Sequence, residues 1–383
     1  MVNLDRLKET FMELAATDSV SGNEAGISKK IREMLRPFEP EVYIDNAGEK
    51  AGSDTGNLIM KFAGNRDSHW LLLNAHMDTV EPGTGVEPKF SEGVFQSDGT
   101  TVLGADDKSA VAIIIETVRV IHENALQFGP LELVFTICEE IGLLGAKNLD
   151  YSMISSRCGY SLDTSDTETI ITRAPAANRF EIYVHGKAAH AGAEPEKGIN
   201  AISVASRAIA RLEMGRIDAE TTANIGVIEC DGATNIVPEK VRIKGEIRSH
   251  DPQKLERISR NIIDAFEAEA KAFSDRDPGA GLPRISVDME NEFSATQIPE
   301  DNPVVRHAKA AAMKLGRSLA SRRTGGGSDA NIFFEKGIVT GVIGTGMQEI
   351  HTVREWIGLD EMAKTVDLLV EIIRMHSAGE AEK

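Results

Sequence analysis

Apolar and polar positions change texture three times along this chain. Near the start, Leu4, Leu7, Phe11 and Leu14 recur at helical spacing, and Ile27, Ile31, Met34 and Leu35 repeat the pattern. Four short apolar runs follow at 57–62, 70–73, 131–137 and 159–162, each bounded by polar residues. Between the second and third, Val111, Ile114, Ile115, Val118 and Ile121 predict a helix over about 108–126. Strands apolar on both faces, alternating with helices, predict an α/β sheet covered on each side.

From about residue 179 the period shortens. RFEIYVHGK sets Phe180, Ile182 and Val184 against polar neighbours, as in a strand with one wet face. A helix marked by Ile199, Ile202, Ala205, Ile209 and Leu212 comes next. Strands near 223–229 and 240–248 then flank the turn-rich DGATNIVPE. A helix over 252–273 and the Gly/Pro-rich DRDPGAGLP lead into a strand at 284–289. The order β-α-β-β-α-β is ferredoxin-like. After residue 292 the α/β texture returns, with a helix at 303–315, the loop TGGGSDAN, a strand at 338–343 and a closing helix at 359–375. The expected organisation is one α/β domain, residues 1–176 and 293–383, interrupted by an inserted domain at 177–292.

A length of 383 residues suits two domains. The net charge of −18 argues against nucleic acid, whose phosphates demand clustered Lys and Arg. No apolar run approaches the roughly 20 residues of a membrane helix. The opening MVNLDRLKETFMELAA has acidic residues and helical spacing, unlike a signal peptide, so a cytoplasmic location is expected. Three scattered cysteines, Cys138, Cys158 and Cys230, offer neither a disulfide framework nor a thiolate zinc site. Any metal must therefore rest on histidine and carboxylate.

Such residues stand where apolar runs end or a helix begins. They are His76 and Asp78, Asp106 and Asp107, Glu139 and Glu140, Asp163, and His351 in QEIHTV. Open α/β sheets bind ligands outside the carboxyl ends of their strands, so the sequence delivers five clusters to one edge. Imidazole mixed with carboxylate suits borderline divalent ions, zinc above all. Asp78, two residues after His76, is placed to hold the far nitrogen of that imidazole rather than the metal. Taken singly, each cluster reads more simply as a helix cap or a solvated loop; their convergence carries the metal reading.

The stretches NAHMDTV, LGADDKSAV, FTICEEIG, SLDTSD, HGKAAHAGAEPEKGINAI, TNIVPEKVRIKGEIRSHD, GGGSDAN and EIHTVREWI, in this order, resemble the zinc exopeptidases. That family includes peptidase T, glutamate carboxypeptidase, aminoacylase and succinyl-diaminopimelate desuccinylase, and GMQEIHTVREWI looks most like peptidase T. The resemblance implies an α/β mixed-sheet catalytic domain with an inserted ferredoxin-like dimerisation domain, and hence a homodimer. It implies two Zn2+ per subunit, with Co2+ or Mn2+ as possible substitutes. His76 and Asp163 would hold one ion, Glu140 and His351 the other, and Asp106 would bridge them. Glu139 would be the general base, Asp78 the support of His76, and the Asp106–Asp107 peptide would be cis. His190 would reach the reacting carbonyl from the second subunit. Arg248 would hold a substrate carboxylate and Asn235 would contact substrate.

The expected reaction is hydrolysis of short peptides, as by an aminopeptidase or tripeptidase. A carboxypeptidase or an N-acyl amino acid amidohydrolase on the same scaffold is the near alternative. A non-catalytic metal-binding module is the distant one, disfavoured because no ligand and no base is missing.

Overall fold

A computed structural model describes residues 1–274 and 281–378. The turn expected in DRDPGAGLP lies mainly at 275–280, outside the described residues. The chain divides into two compact units. One comprises 1–172, 297–323 and 328–383; the other comprises 173–296 and 324–327.

A nine-stranded mixed sheet forms the core of the first unit, with only the ends of two of its strands, Arg173–Ala174 and Thr296, counted in the second. Its strands run in the order Glu41–Ile44, Leu58–Phe62, Leu131–Thr136, Leu71–His76, Cys158–Ser161, Val339–Ile343, Thr169–Ala174 and Thr296–Gln297, with Ala320–Arg323 paired to Thr169–Ala174. Four central strands are parallel, from Leu131–Thr136 across to Val339–Ile343. Every residue of Leu71–His76 and Leu131–Thr136 is buried, as a sheet covered on both faces requires. The helix Ala105–Glu123 is apolar almost all round and is correspondingly enclosed, with even Lys108 and Glu116 inaccessible. Arg6 answers Glu116 with two 2.8 Å hydrogen bonds, so that this buried charge is paired.

Some expectations shift. The run at 70–73 continues as strand to His76, because its polar Asn74 is satisfied within the sheet by the carbonyl of Val134 at 3.1 Å. The helix expected from 108 begins earlier, but Asp106 and Asp107 have non-helical backbone angles and break its first turn. Leu4 shares the helical spacing of Leu7 and Phe11 yet is 45% exposed, since it lies in the first turn beyond the buried stripe. Several short strands carry no readable period, including Lys89–Ser91, Val94–Gln96 and Trp356–Gly358, which form a separate small sheet.

The second unit has an antiparallel sheet in the order Gly215–Asp218, Thr221–Glu229, Lys240–Ser249, Ala176–His185 and Arg284–Phe293. Apart from the extra edge strand Gly215–Asp218, this is the ferredoxin-like order. Helices Ala201–Ile209 and Pro252–Ser274 contribute Val204, Ala208, Ile262 and Phe266 to a core with Phe180, Ile182, Val184, Val241, Ile243 and Ile247. The alternate side chains, including Arg179, Glu181, Arg242 and Lys244, form the polar face.

Candidate metal centre

The four parallel strands end side by side and present their next residues at one sheet edge. His76 closes its strand and is 2% exposed. Its Nδ1 lies 2.9 Å from the backbone carbonyl of Asp78 and 3.4 Å from the Asp78 carboxylate. A proton on Nδ1 satisfies that carbonyl and leaves the Nε2 lone pair facing Asp106 Oδ1, 3.0 Å away. The other oxygen of Asp106 lies 3.3 Å from His351 Nε2, which is also 3.1 Å from Glu140 Oε1. One carboxylate therefore stands between two imidazoles.

Asp106 is fixed by its own loop. The Asp106–Asp107 peptide is cis, and Gly104 adopts a positive φ of 75°. Glu355, 2% exposed, receives the backbone N–H groups of Leu103 at 2.8 Å, Gly104 at 2.7 Å and Asp106 at 2.9 Å. Asp107 accepts the His76 N–H at 3.1 Å. Asp78, fully buried, accepts the N–H of Glu139 at 2.9 Å and of Glu140 at 3.2 Å, and the Ser21 hydroxyl at 2.6 Å. The Asp78 carboxylate thus holds the backbone of both glutamates, while the hydrogen bond of His76 Nδ1 goes to the Asp78 backbone carbonyl.

The electrostatics are those of a site crowded with negative charge. Burial pushes Asp163 up to about 8, with Asp106 and Glu140 adding to it. Burial also raises Glu139 well above the carboxylate range, Asp163 and Asp329 reinforcing it against His76. Hydrogen bonds to Asp106 and Glu140 bring His351 up to about 10. Burial opposes a charge on His76, but the bonds to Asp106 and Asp78 prevail and hold it well above its ordinary value. Burial raises Glu355 to about 7. The group asks for positive charge, and protons take that place when no cation does.

The donor set fits divalent ions. Metal–ligand bonds of about 2.0–2.1 Å place two ligands of a tetrahedral zinc about 3.3 Å apart. The nitrogen–oxygen separations on either side of Asp106 match that spacing. Ligand atoms of His76, Asp106 and Glu140 all lie within 4.8 Å of one another. Asp163 lies two residues beyond the strand Cys158–Ser161, which runs parallel beside Leu71–His76, so chain order brings it to the same sheet edge.

The remaining expected residues belong to the second unit. His190 is exposed, and its Nδ1 accepts the N–H groups of Gly192 at 3.2 Å and Ala193 at 3.1 Å. With Nδ1 accepting, the ring N–H of this tautomer is on Nε2. The carbonyl of Asn235 receives the Ala191 N–H at 2.9 Å, so His190 and Asn235 share one surface. Arg248 donates to Glu246 at 3.0 Å and to the Gly325 carbonyl at 3.4 Å, while its buried Nε has no partner. This puts Arg248 against the glycine loop.

Sequence reasoning missed Glu355, Asp329 and Glu24. Asp329 is 2% exposed and accepts the Thr136 hydroxyl beside Asn74. The thiol of Cys138, just before Glu139, is pushed up by burial and by Glu24, which keeps it a poor nucleophile.

Two family models match the chain: a peptidase dimerisation domain over residues 176–274 and peptidase family M28 over residues 57–171. The uncharacterised protein YqjE of Bacillus subtilis is 41% identical over 97% of this chain and 99% of its own. The crystal structure of aminopeptidase PepT from Bacillus cereus superposes with a TM-score of 0.89 at 39% identity, covering 98% of this chain and 99% of that one. A tripeptidase from Staphylococcus aureus gives a TM-score of 0.92 at 34% identity, covering 99% of this chain and 100% of that one. The M28 match ends at residue 171, before His351, whereas the dimerisation model and both structures extend the likeness through the second unit. On this full-length similarity, the chain belongs to the M20 metallopeptidases, in their peptidase T-like group.

Proposed function

We propose that this metallo-exopeptidase of short peptides acts as an aminopeptidase, with its hydrolytic centre around Asp106. The observation that carries the reading is the Asp106 carboxylate set between His76 and His351, with Glu140 beside it and Glu139 next in chain. His76 and Asp163 would hold one ion and Glu140 and His351 the other, with Asp106 between; zinc is the ion that best suits this donor set. Bound there, two divalent ions supply Lewis-acid polarisation of the scissile carbonyl and acidify the attacking water.

Glu139 takes the proton of that water and delivers it to the leaving amine nitrogen. Its backbone, held by Asp78, lets its side chain diverge from that of Glu140. His190 presents Nε2–H as a donor to the carbonyl oxygen as negative charge develops there. Arg248 provides two N–H groups for a substrate carboxylate, and Asn235 contacts the peptide.

His190 and Arg248 cannot both serve one substrate from the same copy of the second unit. Strand register pairs Lys240 with His185 and Arg248 with Ala177, eight residues apart. At about 3.3 Å per residue that is about 26 Å, with His190 further out still. A homodimer resolves this by lending His190 across. The edge of Thr221–Glu229 favours such pairing, because Gly215–Asp218 covers only Thr221–Ala223. Beyond it Val227 and Ile228 are exposed, as are Ile202 and Ile236.

Among the described residues no helix is long and apolar enough to cross a membrane. The likeness to an aminopeptidase and a tripeptidase favours release of the N-terminal residue. A carboxypeptidase or N-acyl amino acid amidohydrolase would use the same centre. Incubation with di- and tripeptides and their N-acylated forms separates the readings. A free N-terminal residue from tripeptides, with N-acylated ones untouched, is expected; cleavage of the acylated forms would overturn the aminopeptidase assignment.

A further inference from the structure

We infer that Glu24 is a positioning residue for the Glu139–Glu140 turn, acting through Cys138. This rests on the reading of Glu139 as base and Glu140 as metal ligand. Glu24 is completely buried and stands at the N-cap of the helix Ala25–Leu35, where a short side-chain oxygen such as that of Asp or Ser ordinarily caps the helix. The Glu24 side chain does not. Asp54 takes the Ala25 N–H instead, at 2.8 Å, and Glu24 turns inward.

Its Oε1 accepts the Cys138 N–H at 3.0 Å, the Cys138 thiol at 3.3 Å and the Gly22 N–H at 3.0 Å. The Ser53 hydroxyl donates to Oε2. Cys138 has a left-handed φ of 49°, unusual for a residue with a side chain, and therefore needs contacts that favour it over alternatives. Glu24 supplies two of them. Asp78 receives the next two amides in the chain, those of Glu139 and Glu140. Two buried carboxylates thus collect three consecutive N–H groups, and the side chains of Glu139 and Glu140 leave that turn from a fixed backbone. Without Glu24 the first amide has no acceptor, and the left-handed residue can relax and rotate the pair.

Kinetics and metal titration of Glu24→Ala and Glu24→Gln test this. Loss of an outer partner of a metal site costs about 10–100-fold in affinity or activity. Glu24→Ala is expected to lower kcat by about 10–100-fold with KM changed less than about threefold. Calorimetric titration of the metal-free variant with Zn2+ is expected to show one of two sites weakened by a similar factor and the other unchanged. Glu24→Gln keeps an acceptor oxygen for Cys138, and is expected to restore both quantities to within about threefold. Wild-type kcat and both affinities in Glu24→Ala, or Glu24→Gln no better than Glu24→Ala, would overturn the proposal. If Glu24→Ala does not fold, Glu24→Asp replaces it: charge is kept but reach is shortened, and the same paired losses are expected, wild-type values again overturning it. Glu139→Gln, assayed alongside, separates the two readings. Turnover retained there defeats the role of Glu139 itself, whereas turnover lost there and kept in Glu24→Ala defeats only the positioning role.

Discussion

Replacing Glu355 by alanine removes the acceptor for three backbone N–H groups that shape the loop carrying Asp106. Each lost bond to a buried carboxylate costs about 2 kcal/mol, or about 6 kcal/mol for the three. The wild-type carboxylate is itself held at a cost, since burial raises it from 4.5 to about 7. A shift of that size corresponds to about 3 kcal/mol at pH values where the group is ionised. The alanine variant is relieved of it. The expected net loss at pH 8 is about 3 kcal/mol, read from urea unfolding of metal-free protein by linear extrapolation. Glu355→Gln retains one acceptor oxygen and should lose about 1–2 kcal/mol. A change below about 0.5 kcal/mol for Glu355→Ala would show that water replaces the carboxylate at no cost, refuting the reasoning.

Glu139→Ala is expected to bind the same amount of metal as wild type but lose about 10²–10⁴-fold in kcat; near-normal turnover would remove it as the base. His190→Ala and Glu139→Ala proteins, each inactive, should regain activity when mixed and allowed to exchange subunits, because one site per mixed dimer then has both groups. No recovery despite demonstrated exchange would exclude action in trans. The metal-free protein should lose thermal stability as pH rises from 6 to 9. Asp163, raised to about 8, binds more protons folded than unfolded over the range from 3.8 to that value, and His351, raised to about 10, does so above 6.5. Both contributions are therefore lost with rising pH, so a midpoint that climbs over this range contradicts the charge-crowding account.

The strand ends were legible because buried strands leave apolar runs, and the residue after each run is fixed by chain order alone. That brought His76, Glu139, Glu140 and Asp163 into view together. The carboxylates behind them were not legible. Glu24 reads as a helix cap, Asp329 as the start of the helix Asp329–Glu335, and Glu355 as part of a polar turn. Each is an acid whose partners lie far away in sequence, Glu355 being about 250 positions from the loop it holds. Lys108 would pass for a solvated helix residue, yet it is fully buried and donates to the Thr17 carbonyl at 2.7 Å. Three-residue strands such as Trp356–Gly358 are too short for a period of two to register. His190 and Arg248 came from the resemblance, since an exposed loop histidine and a strand arginine have nothing local that marks them.

Anomalous diffraction from crystals soaked with Zn2+ bears most directly on the two-metal centre. Two peaks about 3.5–4 Å apart are predicted, flanking the Asp106 carboxylate, one beside His76 and Asp163 and the other beside Glu140 and His351. A single peak, or peaks away from Asp106, would contradict it.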